Sequence, residues 1–211
     1  MAEIKTIETV SKVLESRNRK FVESVEIAIN LKDVDLSNPK NRINEEILLP
    51  KGRGRDVRIG VFGSGEFAAK AKESADTVIS PEELETLAGD KAKARKLVNH
   101  HDFFVAEAPL MVTIGKKLGT ALGPKGKMPR PLPPQADPAP VLATMRNTVR
   151  IRSKDRRTFH VAVGSREMTP EDISANIDVI LKRVSSKLER GMNNISSVYL
   201  KTTMGPSVRL V

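Results

Sequence analysis

Hydrophobic and polar residues alternate with two different periods in the first part of the chain. Apolar residues recur at helical spacing over residues 3–17, which predicts an amphipathic helix. From Phe21 the period changes to two, with apolar residues on one face and Ser24, Glu26 and Asn30 on the other. This alternation predicts a half-buried strand that runs to Leu31.

The middle of the chain has a different pattern. Residues 57–62 form a nearly continuous apolar run, which is typical of a strand covered on both faces. Predicted strands and helices then alternate, and this order indicates a parallel sheet with helices on its faces. A glycine- and proline-rich stretch over residues 119–140 is too long for an ordinary connection.

The half-buried pattern returns after residue 150. Residues 151–153 and 158–163 flank a charged turn, which predicts an antiparallel hairpin. Thr169 is the expected N-cap of an amphipathic helix that runs to Arg190, and a last strand ends at Gly205-Pro206.

We therefore predict a mixed α+β and α/β protein of two domains. Residues 1–62 and 150–211 are expected to form a discontinuous α+β domain, with an antiparallel sheet built from both termini. Residues 63–149 are expected to form an inserted α/β domain of three layers, similar in architecture to a Rossmann fold.

The composition indicates a partner of opposite charge. The 211 residues include 36 Lys and Arg against 26 Asp and Glu, a formal net charge of +10. Such an excess fits a polyanion, although a soluble basic protein without such a partner has the same charge. There is no cysteine, which excludes thiolate chemistry, and no apolar run approaches a membrane span. We expect a soluble cytoplasmic protein with no membrane partner.

Charge is uneven within the predicted insert. Residues 63–107 hold 6 basic and 9 acidic residues, whereas residues 108–150 hold 7 basic and 1 acidic. The second half is therefore expected to present a basic face, whose role the sequence leaves open. Aromatic residues are only 3% of the chain, which favours structured RNA or a duplex backbone over single strands. No helix-turn-helix or zinc spacing supports a DNA-binding module.

Enzyme motifs are weak in this sequence. The best one is Gly63-Ser64-Gly65, which follows a buried strand as the glycine turn of a dinucleotide-binding fold does. The insert has room for only about four strands, fewer than that fold uses, so a tight strand-to-helix turn is favoured. The histidines lack metal-ligand spacing, and we expect neither a metal nor a cofactor.

The last strand ends in a turn rich in hydroxyl groups, residues 202–207, which we name the terminal turn. Thr202, Thr203 and Ser207 can donate and accept hydrogen bonds, and Gly205 allows another molecule's backbone to approach closely. Pro206 restricts the backbone, so binding orders little further chain. The terminal turn suits phosphate and ribose hydroxyls, but an ordinary surface turn has the same residue types.

Several segments together resemble one protein family. Residues 197–209, which contain Lys201-Thr202-Thr203-Met204-Gly205-Pro206-Ser207, are similar to the C-terminal signature of large-subunit ribosomal protein one, the L-one family of the lateral stalk. Residues 20–26, 49–52, 118–126 and 160–164 resemble further segments of that family, in the same order. The proline-rich residues 128–133 are more similar to the archaeal branch than to the bacterial one.

The resemblance implies a non-enzymatic protein that binds large-subunit ribosomal RNA at the lateral stalk of the large ribosomal subunit. It also implies a part in the release of deacylated tRNA from the exit site and repression of translation of the protein's own mRNA. The alternative function is a small nucleotide-binding α/β enzyme that uses Gly63-Ser64-Gly65.

The resemblance and the chemistry of the terminal turn together give a set of candidate RNA-binding residues. The set is Lys20, Phe21, Ser24, Glu26, Arg152, Lys154, Tyr199, Thr202, Thr203, Met204, Gly205, Pro206 and Ser207. Phe21 and Tyr199 also fit core packing. Glu26 fits an RNA contact only as an acceptor for a ribose hydroxyl or a base amine, because phosphate would repel it.

Overall fold

A computed structural model describes residues 2–17 and 19–211 of the chain. It divides into two units, one formed by the residues up to Arg55 with Asn147–Val211, the other by Asp56–Arg146. The predicted fold class is confirmed, since an antiparallel sheet draws on both ends of the chain and the insert holds a parallel sheet. The divisions fall at residues 55 and 146, not at the predicted 62 and 149. The reason is that the strand at residues 59–62 pairs inside the insert, and the strand that begins at Thr148 pairs outside it.

The elements follow one another in three groups. Before the insert come α1 (Ala2–Leu14), β1 (Ser24–Leu31) and β2 (Asn44–Leu48). The insert contains β3 (Ile59–Phe62), α2 (Gly65–Lys72), β4 (Thr77–Ile79), α3 (Pro81–Gly89), α4 (Lys91–His100), β5 (Phe103–Glu107), α5 (Met111–Leu122), β6 (Arg130–Leu132) and α6 (Ala139–Arg146). After the insert come β7 (Thr148–Arg152), β8 (Thr158–Ser165), α7 (Pro170–Lys187), β9 (Ile195–Thr202) and β10 (Val208–Arg209).

The first unit is built on an antiparallel sheet in the order β10-β9-β1-β8. Helices α1 and α7 pack on one face, where β1 buries Val25, Ile27 and Ile29 completely. Each such side chain contributes about 1.5–3 kcal/mol when it leaves water. The alternate residues of β1 remain half-exposed on the opposite face. The strand begins at Ser24 and not at Phe21, whose side chain is 53% exposed.

Strands β7 and β8 do not form the predicted hairpin. β7 pairs with β2 in a separate two-stranded sheet, whereas β8 pairs with β1. Ser153, directly after β7, holds the chain on the β2 side: its amide donates to the Ile43 carbonyl at 2.9 Å, and its hydroxyl accepts from the Ile43 amide at 3.0 Å. Lys154 then turns the chain with a φ of 50°.

Helix α7 begins where the sequence predicts and ends earlier. The Thr169 hydroxyl accepts from the Asp172 amide at 3.2 Å, which confirms the predicted N-cap. The helix ends at Lys187, three residues before the predicted Arg190. Among the described residues, no helix is long and apolar enough to cross a membrane.

The insert is a three-layer unit. Its parallel strands stand in the order β4-β3-β5-β6, with α3, α4 and α5 packed on one face and α2 and α6 on the other. Part of the positive charge of residues 108–150 is engaged within the protein. Lys127 donates to two backbone carbonyls at the end of α4, Arg146 donates to the Ser74 carbonyl at 2.9 Å, and Lys117 contacts Glu85 at 2.9 Å. Lys116, Lys125 and Arg130 are exposed.

Candidate nucleic-acid interface

The face of the antiparallel sheet that points away from α1 and α7 presents polar side chains in rows. We name it the open face, and its members are Ser24, Glu26, Ala28 and Asn30 of β1, Ser197, Tyr199 and Lys201 of β9, and Thr158, His160 and Ala162 of β8. The strand register places Ala28 between Tyr199 and His160, and Glu26 opposite Lys201. Because these side chains are half-exposed or exposed, the open face offers donors, acceptors and the rings of Tyr199 and His160 to a partner.

One row of the open face is already ordered by hydrogen bonds. The Asn30 amide group donates to the Ser197 hydroxyl at 2.8 Å, and the Thr158 hydroxyl donates to the Asn30 side-chain oxygen at 2.7 Å. These bonds fix the three side chains across β9, β1 and β8. A partner therefore meets a polar row whose geometry is set before binding.

The terminal turn is fastened to the start of β1. The Thr203 amide donates to the Ser24 carbonyl at 3.0 Å, and the Thr203 hydroxyl accepts from the Ser24 amide at 3.2 Å. The Met204 amide donates to a carboxylate oxygen of Glu23 at 2.9 Å. The Met204 side chain is nevertheless 59% exposed, so the turn is held from below while its tip faces solvent.

Glu23 is itself held by an arginine. Its second carboxylate oxygen accepts from Nη1 of Arg166 at 2.7 Å, and the Glu23 side chain is only 1% exposed. The hydrogen bond from the Met204 amide, together with the bonds and the charge of Arg166, lowers the pKa of Glu23 below its ordinary value of 4.5 in spite of burial. The carboxylate is thus kept ionised beneath the terminal turn.

Gly205 is required by close packing. A Cβ at this position would lie 2.3 Å from Oγ1 of Thr202 and 3.2 Å from Oγ of Ser16. Thr202 is fully buried in the sheet. The glycine therefore fits a crowded site beneath the turn, which adds a second reason for its presence besides close approach of a partner.

The structure brings most of the predicted residues to one end of the sheet. Phe21, Thr203, Met204, Pro206 and Ser207 are exposed. Lys20 is exposed beside Phe21, Gly205 is half-buried, and Ser24, Glu26 and Tyr199 lie on the open face. Phe21 does not pack in the core. Thr202 lies at the same end but is fully buried, so it supports the turn from within.

Arg152 and Lys154 lie at the opposite end of the sheet. The Leu31 amide, at the end of β1, donates to the Arg157 carbonyl at 2.9 Å, so the charged turn after β7 adjoins that end. The terminal turn adjoins the start of β1. An eight-residue strand separates the two groups by roughly 23 Å. Both side chains are exposed, but the structure does not bring them to the terminal turn.

Sequence reasoning left several open-face residues out of the candidate set. They are Asn30, Thr158, His160, Ser197 and Lys201, together with Arg209 of β10, which lies opposite Tyr199. The period-two pattern of each strand was a usable signal, since these residues alternate with buried ones. The pairing of the strands, which places them side by side, was not visible in the sequence.

The Gly63-Ser64-Gly65 turn is occupied by the protein's own carboxylate. Oε2 of Glu107 accepts from the Ser64 amide at 3.1 Å and from the Ser64 hydroxyl at 2.8 Å. In dinucleotide-binding folds the phosphates take the donors of this turn at the start of the helix. The Glu107 carboxylate engages two of these donors and would repel a phosphate there. Among the described residues, no cluster of three or more His, Asp and Glu side chains could hold a metal ion.

Together, the exposed terminal turn, the polar open face and the occupied glycine turn favour a protein that binds a structured polyanion over an enzyme. Comparison with known proteins agrees. The model of the family described as "Ribosomal protein L1p/L10e family" matches residues 13–206. The chain therefore belongs to the ribosomal protein L1p/L10e family, which confirms the predicted family and the predicted non-enzymatic class.

Similar proteins carry the name large ribosomal subunit protein uL1. That of Methanocella arvoryzae is 53% identical, with 100% of both chains covered. That of Thermoplasma acidophilum is 57% identical over 95% of this chain and 93% of its own length. That of Haloferax volcanii is 51% identical over 97% of each. These archaeal relatives agree with the archaeal resemblance of the proline-rich segment.

Proposed function

We propose that this protein is a structural component of the large ribosomal subunit in the cytoplasm and binds large-subunit ribosomal RNA at the lateral stalk with its terminal turn and open face. Family membership supports the ribosomal RNA partner. The observation that carries the choice of surface is the terminal turn, whose exposed tip is fixed to β1 by backbone and side-chain hydrogen bonds. A turn held in this way loses little entropy on binding.

The residues around the turn have complementary tasks in this proposal. Met204 and Phe21 place exposed apolar surface against ribose or a base, while Lys20 and Lys201 neutralise phosphates. Ser24, Tyr199 and Ser207 exchange hydrogen bonds with ribose hydroxyls, and Glu26 accepts from a hydroxyl or base amine. Pro206 and Gly205 keep the turn compact. Arg152 and Lys154 reach the same RNA only where it extends along the sheet, because they lie at its other end.

The experiment compares Met204→Ala with Met192→Ala in binding to a stalk fragment of large-subunit ribosomal RNA. Both methionines are exposed, at 59% and 48%, but Met192 follows α7 at the other end of β9. We expect Met204→Ala to weaken binding by about tenfold, the effect of losing about 1.4 kcal/mol of contact, and Met192→Ala to leave it unchanged. Neither change is expected to lower the unfolding midpoint. Equal effects of the two variants on RNA affinity would show that the terminal turn is not part of the interface.

The same titration at several salt concentrations tests the electrostatic contribution to RNA binding. Contacts between cationic side chains and phosphates release counterions, so the logarithm of the binding constant is expected to fall linearly with the logarithm of the salt concentration. Lys201→Gln is expected to reduce that slope by about one contact, or roughly 0.7–0.9. Binding that does not change with salt would contradict phosphate contacts.

Two finer functions follow from the family resemblance, and we include them in the proposal. The protein takes part in release of deacylated tRNA from the exit site, and it represses translation of its own mRNA by using the same surface on an RNA that mimics the ribosomal site. Translation of the protein's own mRNA in a cell-free system is expected to fall when the protein is added, and to fall less with Met204→Ala. Ribosomes that carry a variant in which a short glycine linker replaces residues 56–146 are expected to release exit-site tRNA more slowly.

A further inference from the structure

A buried acid lies directly beneath a surface proposed to bind RNA, where its charge opposes the phosphates. Glu23 precedes β1 and is 1% exposed, and its two carboxylate oxygens serve different partners. One oxygen accepts from the Met204 amide at 2.9 Å, and the other accepts from Arg166 at 2.7 Å. The Arg166 amide also donates to the Glu23 carbonyl at 2.9 Å.

Arg166 links this acid to the first helix. Its Nη2 donates to the Leu14 carbonyl at 2.8 Å and to the Ser16 carbonyl, and its Nη1 donates to the Arg17 carbonyl at 3.2 Å. These carbonyls belong to the last residue of α1 and to the residues after it, where helical partners are missing. With the bond to Glu23, the four Nη hydrogens each have an acceptor.

We propose that Glu23 and Arg166 are positioning residues that set the geometry of the terminal turn for RNA through the chain Leu14–Arg166–Glu23–Met204. This inference rests on the proposed RNA-binding function of the turn. The carboxylate is suited to the task because it accepts from the Met204 amide and from Arg166 at the same time. A neutral amide lacks a separate acceptor oxygen for each partner, since one of its two ends is a donor. The arginine compensates the negative charge, so the acid costs little affinity for phosphate.

The test is Glu23→Gln with Glu45→Gln as its matched control. Glu45 lies in the same unit, on β2, and its carboxylate contacts Arg183 at 2.7 Å and Lys187 at 2.8 Å. Both changes remove a carboxylate from a pairing with cations, but only Glu23 touches the terminal turn. We expect Glu23→Gln to bind the stalk RNA fragment about tenfold more weakly, equivalent to one charge-assisted hydrogen bond, and Glu45→Gln to bind as the unchanged protein does.

A second measurement reports on the turn without RNA. The Met204 amide is expected to exchange its hydrogen slowly in the unchanged protein and in Glu45→Gln, and about tenfold faster in Glu23→Gln. If Glu23→Gln does not fold, the Met204 amide of the unchanged protein still tests the proposal. Exchange of that amide at the rate of an unstructured peptide would overturn it. Equal RNA affinities of folded Glu23→Gln and Glu45→Gln also overturn it.

The two measurements separate the two proposals. If the unchanged protein fails to bind the RNA fragment, the proposed function is wrong, whatever the amide exchange shows. If the protein binds and Glu23→Gln loses protection at Met204 without losing affinity, the link is structural only and the positioning role is wrong. We expect that Glu23→Gln, but not Glu45→Gln, loses both the protection of the Met204 amide and the affinity for the RNA fragment.

Discussion

Gly205→Ala is expected to displace the terminal turn while leaving the fold intact. The new Cβ would lie 2.3 Å from Oγ1 of Thr202, more than 1 Å inside the ordinary contact distance of 3.4–4 Å. Thr202 is fully buried and paired with Val25 in the sheet, and Ser16 closes the other side at 3.2 Å. The exposed turn must therefore move outward. Overpacking of this kind costs about 1–3 kcal/mol.

The consequence for binding follows from the same displacement. A shift of this size breaks contacts made by Thr203 and Met204, and each unpaired group costs about 1–3 kcal/mol, so affinity for the stalk RNA fragment is expected to fall by about 10- to 100-fold. Fluorescence anisotropy gives the Kd, and thermal unfolding checks that the variant is folded. Gly115→Ala is the control, because no atom lies within 4 Å of a Cβ there and alanine favours the helix. Binding of Gly205→Ala within twofold of the unchanged protein, or an equal loss in Gly115→Ala, would refute the reasoning, where twofold is about 0.4 kcal/mol.

Three further predictions concern the first unit. Asn176→Ala removes a fully buried side chain with three backbone partners, so urea unfolding is expected to show a loss of about 1–3 kcal/mol for each group left unpaired, with RNA affinity unchanged. Replacement of residues 56–146 by a short glycine linker is expected to leave a folded unit that binds the RNA fragment nearly as tightly. The reason is that the Leu49 amide donates to the Asn147 carbonyl at 2.9 Å, which keeps the two connections close together; a folded product without affinity would place the main site in the insert. Burial raises the pKa of Glu45, but hydrogen bonds from Lys187 and Arg183 outweigh burial and leave the pKa below 4.5. The extra stability over Glu45→Gln is therefore expected to be full above pH 4.5 and to disappear as pH falls through the lower folded pKa, and a constant difference across that range would contradict the ion pair.

Local pattern was enough to predict the fold class and the two faces of β1. The alternation along residues 24–31 reflects burial on one side, which any partner strand would preserve, so β1 is visible without knowing its neighbours. The continuous apolar run of β3 likewise reports cover on both faces. Thr169 caps α7 because capping depends on residues three positions apart. The family signature at the terminal turn is also local, and four of its residues, Thr203, Met204, Pro206 and Ser207, are exposed in the structure.

Strand partners were decided only by the tertiary structure. The pattern around residues 151–163 fits a hairpin, but β7 pairs with β2, about a hundred residues earlier in the chain, because Ser153 bonds to Ile43 on that side. Apolar faces are buried under either pairing, so periodicity cannot choose between them. The antiparallel pairing of β8 with β1 places the turn that holds Lys154 at the end of β1, away from the terminal turn.

The polar contacts that define the site are long-range for the same reason. Glu107 fills the glycine turn from 43 residues away in the chain, and Glu23 reaches Met204 across 181 residues. In the sequence, Glu23 is only a charged residue on the apolar side of the pattern around β1. The structural role of Glu23 depends on which donors surround it, because a buried carboxylate is stable only with partners that the fold brings to it.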